Sequence, residues 1–394
     1  MLRALACLVF LAASAPQSRP PESFEKVDPY TRGEKDELAR AGYESLGPFR
    51  FAEDLQTKDI EETIGTRLLW VETAHFKLGS LLGTYTVPPD DREKEKLRDE
   101  LGRLAKKLPR VRRESGKLDP WLRLHLYAQR LEEQYSDFLS RFGLREEEFP
   151  ALAKNEIGPM GRGPYLGQES KFTVLLTAKS SQLARFLKRY CNLEELGSYR
   201  TPLPGGTWFF GTSAETLKNL GTELDSALHG LLAEQLARNL CDGLRGGQGV
   251  RSPWFTHGLG LWYQRRIEER WNVDVPRVSP GNEDDSWRWE PRLSGLVANG
   301  FVPSWQEMLD WRDIGKLEAR QHLTAWSRVG WLLAQEKADL RGFLFAISDP
   351  EEASSSGTTP AERDTRALKT GFGKTPAELD EAWRKWVQRK YPKR

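Results

Sequence analysis

Residues 226–240 read SALHGLLAEQLARNL and residues 252–266 read SPWFTHGLGLWYQRR, and how these two stretches are understood decides the fold. In the first, Leu228, Leu231, Leu232 and Leu236 recur three and four residues apart, which lines them along one buried face of a helix. His229 lies on that helix, followed by Gly230 and, one turn on, by Ala233. The second stretch brings Pro253, Trp254, His257 and Gly258 in quick succession, with Trp262 and Tyr263 behind them.

From about Thr222 to the C-terminus the pattern is almost wholly helical, broken by the Ser- and Gly-rich loop SDPEEASSSGTTPAE at 348–362. The preceding part differs. TRLLWVETAHFKLGS (66–80), ESKFTVLLTA (169–178) and GGTWFFGTS (205–213) are rich in β-branched and aromatic residues and predict strands. Between them, residues 91–108 and 120–143 carry apolar residues at helical spacing. Strands followed by helices predict an α+β fold: a mixed half with a small sheet over 63–215, then a helical half over 216–394. Residues 16–62, rich in charge and proline, are expected to form a polar tether with one short helix.

The first fifteen residues, MLRALACLVFLAASA, place one Arg before an apolar run from Ala4 to Ala13 and end in small residues, the order of a signal peptide. That predicts a secreted or periplasmic protein. The run is short of the ~20 residues that span a bilayer, so no transmembrane segment is expected. Lys plus Arg number 59 against 57 Asp plus Glu, a balance that offers no field for nucleic acid. Cys191 and Cys241, the only cysteines after the leader, are compatible with one disulfide or with two buried thiols.

The two opening stretches resemble secreted bacterial peptidase MA-like proteins, whose fold is of the gluzincin (zincin) type. Pro253, Trp254 and Gly258 match a Pro-Trp-x-x-Glu-Gly stretch in which the Glu is a zinc ligand, with His257 in its place. TGFGKTPAELDEAWRKWV (370–387) resembles the closing helix of these proteins, and VETAHFKLGS (71–80) their opening strand. The zinc helix of such enzymes carries two His four residues apart and a Glu after the first. With His229 as the first ligand, Gly230 stands where the base belongs and Ala233 where the second His belongs. No catalytic residue is then expected. The resemblance implies a non-catalytic, degenerate peptidase that holds an extended peptide or envelope component in its groove. Trp208, Phe209, Phe210, Trp254 and Tyr263 are the candidate groove residues, and TWFFG (207–211) is the strand expected to edge that groove.

Two alternatives stay open at this point. His229 and His257, joined by Asp225 one turn before His229, would make an altered zinc site for an active hydrolase. A purely structural envelope protein is the other. The first reading expects no cofactor, and zinc is the ion that the two His would suit. Glu234 lies five residues beyond His229, about 500° around the helix, and is read as a solvated charge. His75, His125 and His322 have no partner at ligand spacing.

Overall fold

A computed structural model describes residues 26–151, 158–195, 197–219, 221–247, 252–272, 287–349 and 357–392. The expected signal peptide lies outside them, as does much of the 348–362 loop.

The strands are β1 (Tyr43–Ser45), β2 (Arg50–Ala52), β3 (Leu55–Gln56), β4 (Leu69–Thr73), β5 (Phe76–Ser80), β6 (Tyr85–Thr86), β7 (Lys117–Leu118), β8 (Phe172–Thr177), β9 (Tyr199–Pro202) and β10 (Trp208–Ser213). Six of them form one mixed sheet in the order β1-β4-β5-β8-β10-β9, with β5, β8 and β10 mutually parallel. The stretch read as one strand at 66–80 is a hairpin, β4 and β5, turning at Ala74 and His75. Glu132 makes that turn: its Oε1 accepts from the backbone N–H of His75 at 2.9 Å and from the hydroxyl of Thr73 at 2.5 Å. A distant carboxylate thus supplies what turn residues usually supply locally.

Successive side chains of a strand point to opposite faces, so each inner strand feeds two cores. Phe172, Val174 and Leu176 of β8, with Trp208 and Phe210 of β10, enter the larger core, whereas Leu175 and Phe209 enter the smaller one. The smaller core is closed by α2 (Thr57–Ile64) and α5 (Ser180–Phe186), with Phe51, Ile60, Ile64 and Phe186 buried in it, whereas α1 (Lys35–Ala41) packs on the larger core through Leu38 and Ala41. Residues 26–64 are therefore part of the fold and not a tether: β1 is an edge strand of the main sheet.

The larger core lies between the sheet and the helices. Its spine is α4 (Pro120–Phe142), started by Asp119, whose side chain accepts from the N–H of Leu122 at 3.0 Å. Every residue from Trp121 to Leu131 is buried, polar ones included, because α4 touches β4, β5 and α3 (Asp91–Lys107) and also α7 (Asp225–Gly243). The short α6 (Ala214–Asn219) links the sheet to α7. Behind α7 come α8 (Pro253–Ile267), α9 (Trp289–Ala298), α10 (Trp305–Leu309), α11 (Ala319–Leu332), α12 (Lys337–Ile347), α13 (Pro360–Phe372) and α14 (Pro376–Lys390).

The α7, α8 and α11 axes approach closely because glycine stands at the crossings. A Cβ on Gly258 would lie 2.6 Å from the carbonyl oxygen of Ala325, and one on Gly260 would lie 2.8 Å from Cγ of Glu234. In a free helix Gly→Ala gains up to about 1 kcal/mol. Here the sign should reverse: Gly258→Ala is expected to lose about 1–3 kcal/mol through overpacking against a backbone atom that cannot yield. Gly295→Ala on α9, where a Cβ meets nothing within 4 Å, should gain stability instead. Denaturant unfolding of the two variants checks this, and a stabilised Gly258→Ala would contradict the packing described.

Candidate functional site

Two polar clusters lie on opposite sides of α7. The first gathers around its N-terminal turns. Asp225 is fully buried, with Oδ2 2.6 Å from Nη1 of Arg130 and Oδ1 accepting from Tyr127 at 3.0 Å and from Arg123 at 3.2 Å. Burial alone would raise its pKa, but Arg130, Arg123 and Lys96 outweigh it and hold the carboxyl well below its usual range. Arg130 also makes two hydrogen bonds to Glu100 of α3, at 2.6 and 3.3 Å, and Lys96 reaches the same carboxylate at 2.7 Å. Glu93 Oε1 accepts from the N–H of Ser226 at 3.2 Å, and the Tyr85 hydroxyl accepts from the N–H of Asp225. These contacts cap a helix whose own N-cap residue, Leu224, has no side chain able to do so.

His229 faces this cluster, its Nδ1 3.4 Å from Glu100 Oε1. Burial, helped by Lys96 and Arg130, pushes its pKa down to about 3, so the ring is neutral at physiological pH.

The second cluster is on the far side. Arg238 pairs with Glu234 at 3.1 Å and donates through Nη2 to Nδ1 of His257. The Nε2–H of His257 donates to Nδ1 of His322 at 2.7 Å, and the Nε2–H of His322 to the carbonyl of Leu317 at 3.2 Å. An arginine cannot accept and a carbonyl cannot donate, so the two ends fix both tautomers. Burial and the adjacent guanidinium hold the His257 pKa well below the usual histidine value. Glu234 is wholly buried against Gly260, not solvated as its position in the sequence suggested. His322, which had no partner at ligand spacing in the sequence, is the second ring of the relay. The signal for Glu234 was present: Arg238 lies four residues on, at ion-pair spacing.

His229 and His257 do not meet. Arg238, which touches His257, is nine residues beyond His229, hence about 13.5 Å along α7 and half a revolution around it. The candidate groove residues are interior as well. Trp208, Phe209 and Phe210 belong to β10, which is flanked by β8 and β9 and so is no edge; the edge on that side is β9. Trp254 packs on Trp305 and Phe343 and donates through Nε1 to Asp364 at 2.7 Å. Tyr263 is buried and donates to Asp137 at 2.8 Å. The five rings are core, set there by the phases of two helices and a central strand.

A zinc ion of the kind the resemblance implies does not fit these residues. Both ring nitrogens of His257 are engaged, both oxygens of Asp225 face guanidinium groups, and His229 stands beside Lys96 and Arg130. Among the described residues no three His, Cys, Asp or Glu side chains are arranged to hold a metal ion. Cys191 and Cys241 are both free thiols, with burial raising the pKa of Cys191 to about 11.

Comparison with protein-family models, curated proteins and solved structures finds no match to this chain. No helix among the described residues is long and apolar enough to cross a membrane.

The buried neutral His229 makes stability depend on pH. Its folded pKa of about 3 lies below the unfolded value of ~6.5, so between the two the unfolded chain binds a proton that the folded one refuses. Stability therefore falls as pH drops through that window, by up to about 1.4 kcal/mol per unit for this group. His229→Gln should flatten the profile of unfolding free energy between about pH 6 and 4 relative to the parent, the other titrating groups cancelling in the difference. Parallel profiles would show that His229 is not the group held neutral.

Proposed function

We propose that this is a secreted, non-catalytic protein built on a gluzincin-like fold, in which the place of the metal centre has become part of the core. The observation that carries the reading is the contact of Arg238 with His257. If position 257 is the third-ligand place, as Pro253, Trp254 and Gly258 suggest, then the part of α7 that faces it is the segment from 233 to 238 and not His229. The zinc-helix pattern in that register reads Ala233-Glu234-Gln235-Leu236-Ala237. The Glu of the pattern is retained and both ligating His are alanine.

This register accounts for the chemistry around it. A retained Glu beside two lost ligands would be a buried charge without a counterion, at a cost of several kcal/mol. Arg238 supplies a fixed positive group, and His257 in place of Glu accepts from that guanidinium while adding no second negative charge. Water activation needs a bound ion with an open position and a free base. Ala233 and Ala237 offer no ligand, and the Glu234 carboxylate is already engaged by Arg238. A binding or scaffold role at the cell envelope is the function left to such a chain.

Protein purified without added metal should carry well under one equivalent of zinc, and a chelator should leave its thermal midpoint unchanged, since a metal bound only to the native state would raise that midpoint. Ala233→His with Ala237→His, Arg238→Leu and His257→Glu should create zinc uptake, whereas Gly230→Glu with Ala233→His and His257→Glu should not. Elemental analysis on variants confirmed as folded by circular dichroism decides between them. Stoichiometric zinc in the parent would defeat the non-catalytic reading, and uptake by the second set alone would defeat the register.

A further inference from the structure

The chain as a whole is nearly neutral, yet one short surface is not. From Lys106 to Lys117 the sequence KKLPRVRRESGK holds six cationic side chains and one acid, Glu114, in a protein whose total formal charge is +2. All six cations, Lys106, Lys107, Arg110, Arg112, Arg113 and Lys117, are exposed. Among the described residues Lys106, Lys107, Arg112 and Lys117 make no ion pair, and Arg113 only approaches Asp99, at 4.0 Å. Such a concentration of like charge repels itself and is stabilised by an outside anion.

The segment is also rigid. Leu104, Leu108 and Val111 are buried, and the N–H of Val111 donates to the carbonyl of Leu108 at 2.9 Å. Lys117 is fixed by pairing of β7 with β6. The cations are therefore presented on a firm support. Beside them runs a cleft of about 660 Å³ between α3 and the 113–116 turn, whose polar lining balances Lys94, Arg98 and Arg113 against Asp91, Glu95 and Glu114, so that the cationic character lies on the exposed segment and not in the cleft. Leu97 and Leu101 are almost fully buried. On this same face Arg110 donates to the carbonyl of Tyr30 at 2.8 Å.

We infer that this face docks on a bilayer rich in anionic phospholipid. Phosphates lie against the exposed cations, and the contact is one of charge at the bilayer surface. Attraction of this kind falls off within a Debye length and grows with each basic residue brought near the surface. A single-stranded nucleic acid is the poorer partner, because residues 94–117 contain no aromatic side chain on which a base could stack.

The test is co-sedimentation of the purified protein with vesicles of phosphatidylcholine alone or with about 30 % phosphatidylglycerol. Binding is expected only to the anionic vesicles, weakening at least tenfold between about 0.05 and 0.3 M salt. Lys106→Glu with Lys107→Glu, Arg112→Glu and Lys117→Glu should lose at least about tenfold in affinity at an unchanged thermal midpoint, and the corresponding Gln set should lose less. Arg389→Glu with Lys390→Glu, on exposed positions of α14, should leave binding intact. Equal binding to neutral vesicles, no binding to either, unaltered binding by the charge-reversed protein, or binding to DNA with none to vesicles would each overturn the inference.

Discussion

Two guanidinium groups on α4 close over one carboxylate on α7, and much of the molecule is arranged around that contact. Asp225 has no exposure to solvent and stands between Arg130 and Arg123. A buried charge is tolerable only when paired and hydrogen-bonded, and removal of one partner strands the other. The pairing therefore fixes how far α7 can slide along α4. The same register is kept further on, where Gln134 donates to the carbonyl of Ala233 at 2.8 Å, and α4 is tied to α8 as well, Asp137 accepting from Tyr263. Arg130 then passes the constraint to α3 through Glu100, so that the mixed and helical halves share one ionic joint.

With one side of α7 committed to that joint, the opposite side is free to meet α8, and there the residues are small or internally neutralised. Gly230 faces Gln264 and Glu268, Gly260 faces Glu234, and Arg238 faces His257. The helix thus carries two separate ionic systems. One holds the halves together. The other fills the ground between α7, α8 and α11 with a Glu–Arg–His–His chain that ends on a backbone carbonyl.

The α+β class, the helices at 91–108 and 120–143, and the strands β8 and β10 could be read from the residues, because long apolar runs and helical spacing reflect burial directly. What could not be read was phase relative to neighbours. A lone His on a leucine-rich helix attracts attention, yet whether it points at α3 or α8 depends on a half-turn that no single helix reveals. The same holds for TWFFG: three consecutive aromatic and apolar side chains suit an exposed groove edge or a strand buried on both faces, and only β9 on its far side decides. β9 itself, YRTP, is too polar and too short to announce a strand. The hairpin at 66–80 was hidden because its turn is made by Glu132, more than fifty residues away in the chain.

The parallel pairing of β5 with β8 has a consequence for how the protein reaches this state. Parallel neighbours need a crossover, and this one runs from Leu81 to Lys171, taking in α3 and α4 before the chain returns to the sheet. Closing so large a loop is slow, since its entropy is lost before the strand contacts repay it. The two helices within it are local structures that form early, and their joint through Arg130 and Glu100 shortens the effective loop. The ion pair that joins α3 to α4 is thus also a contact inside the loop that the pairing of β5 with β8 has to close, so the same charges that seat α7 shorten the longest connection in the sheet.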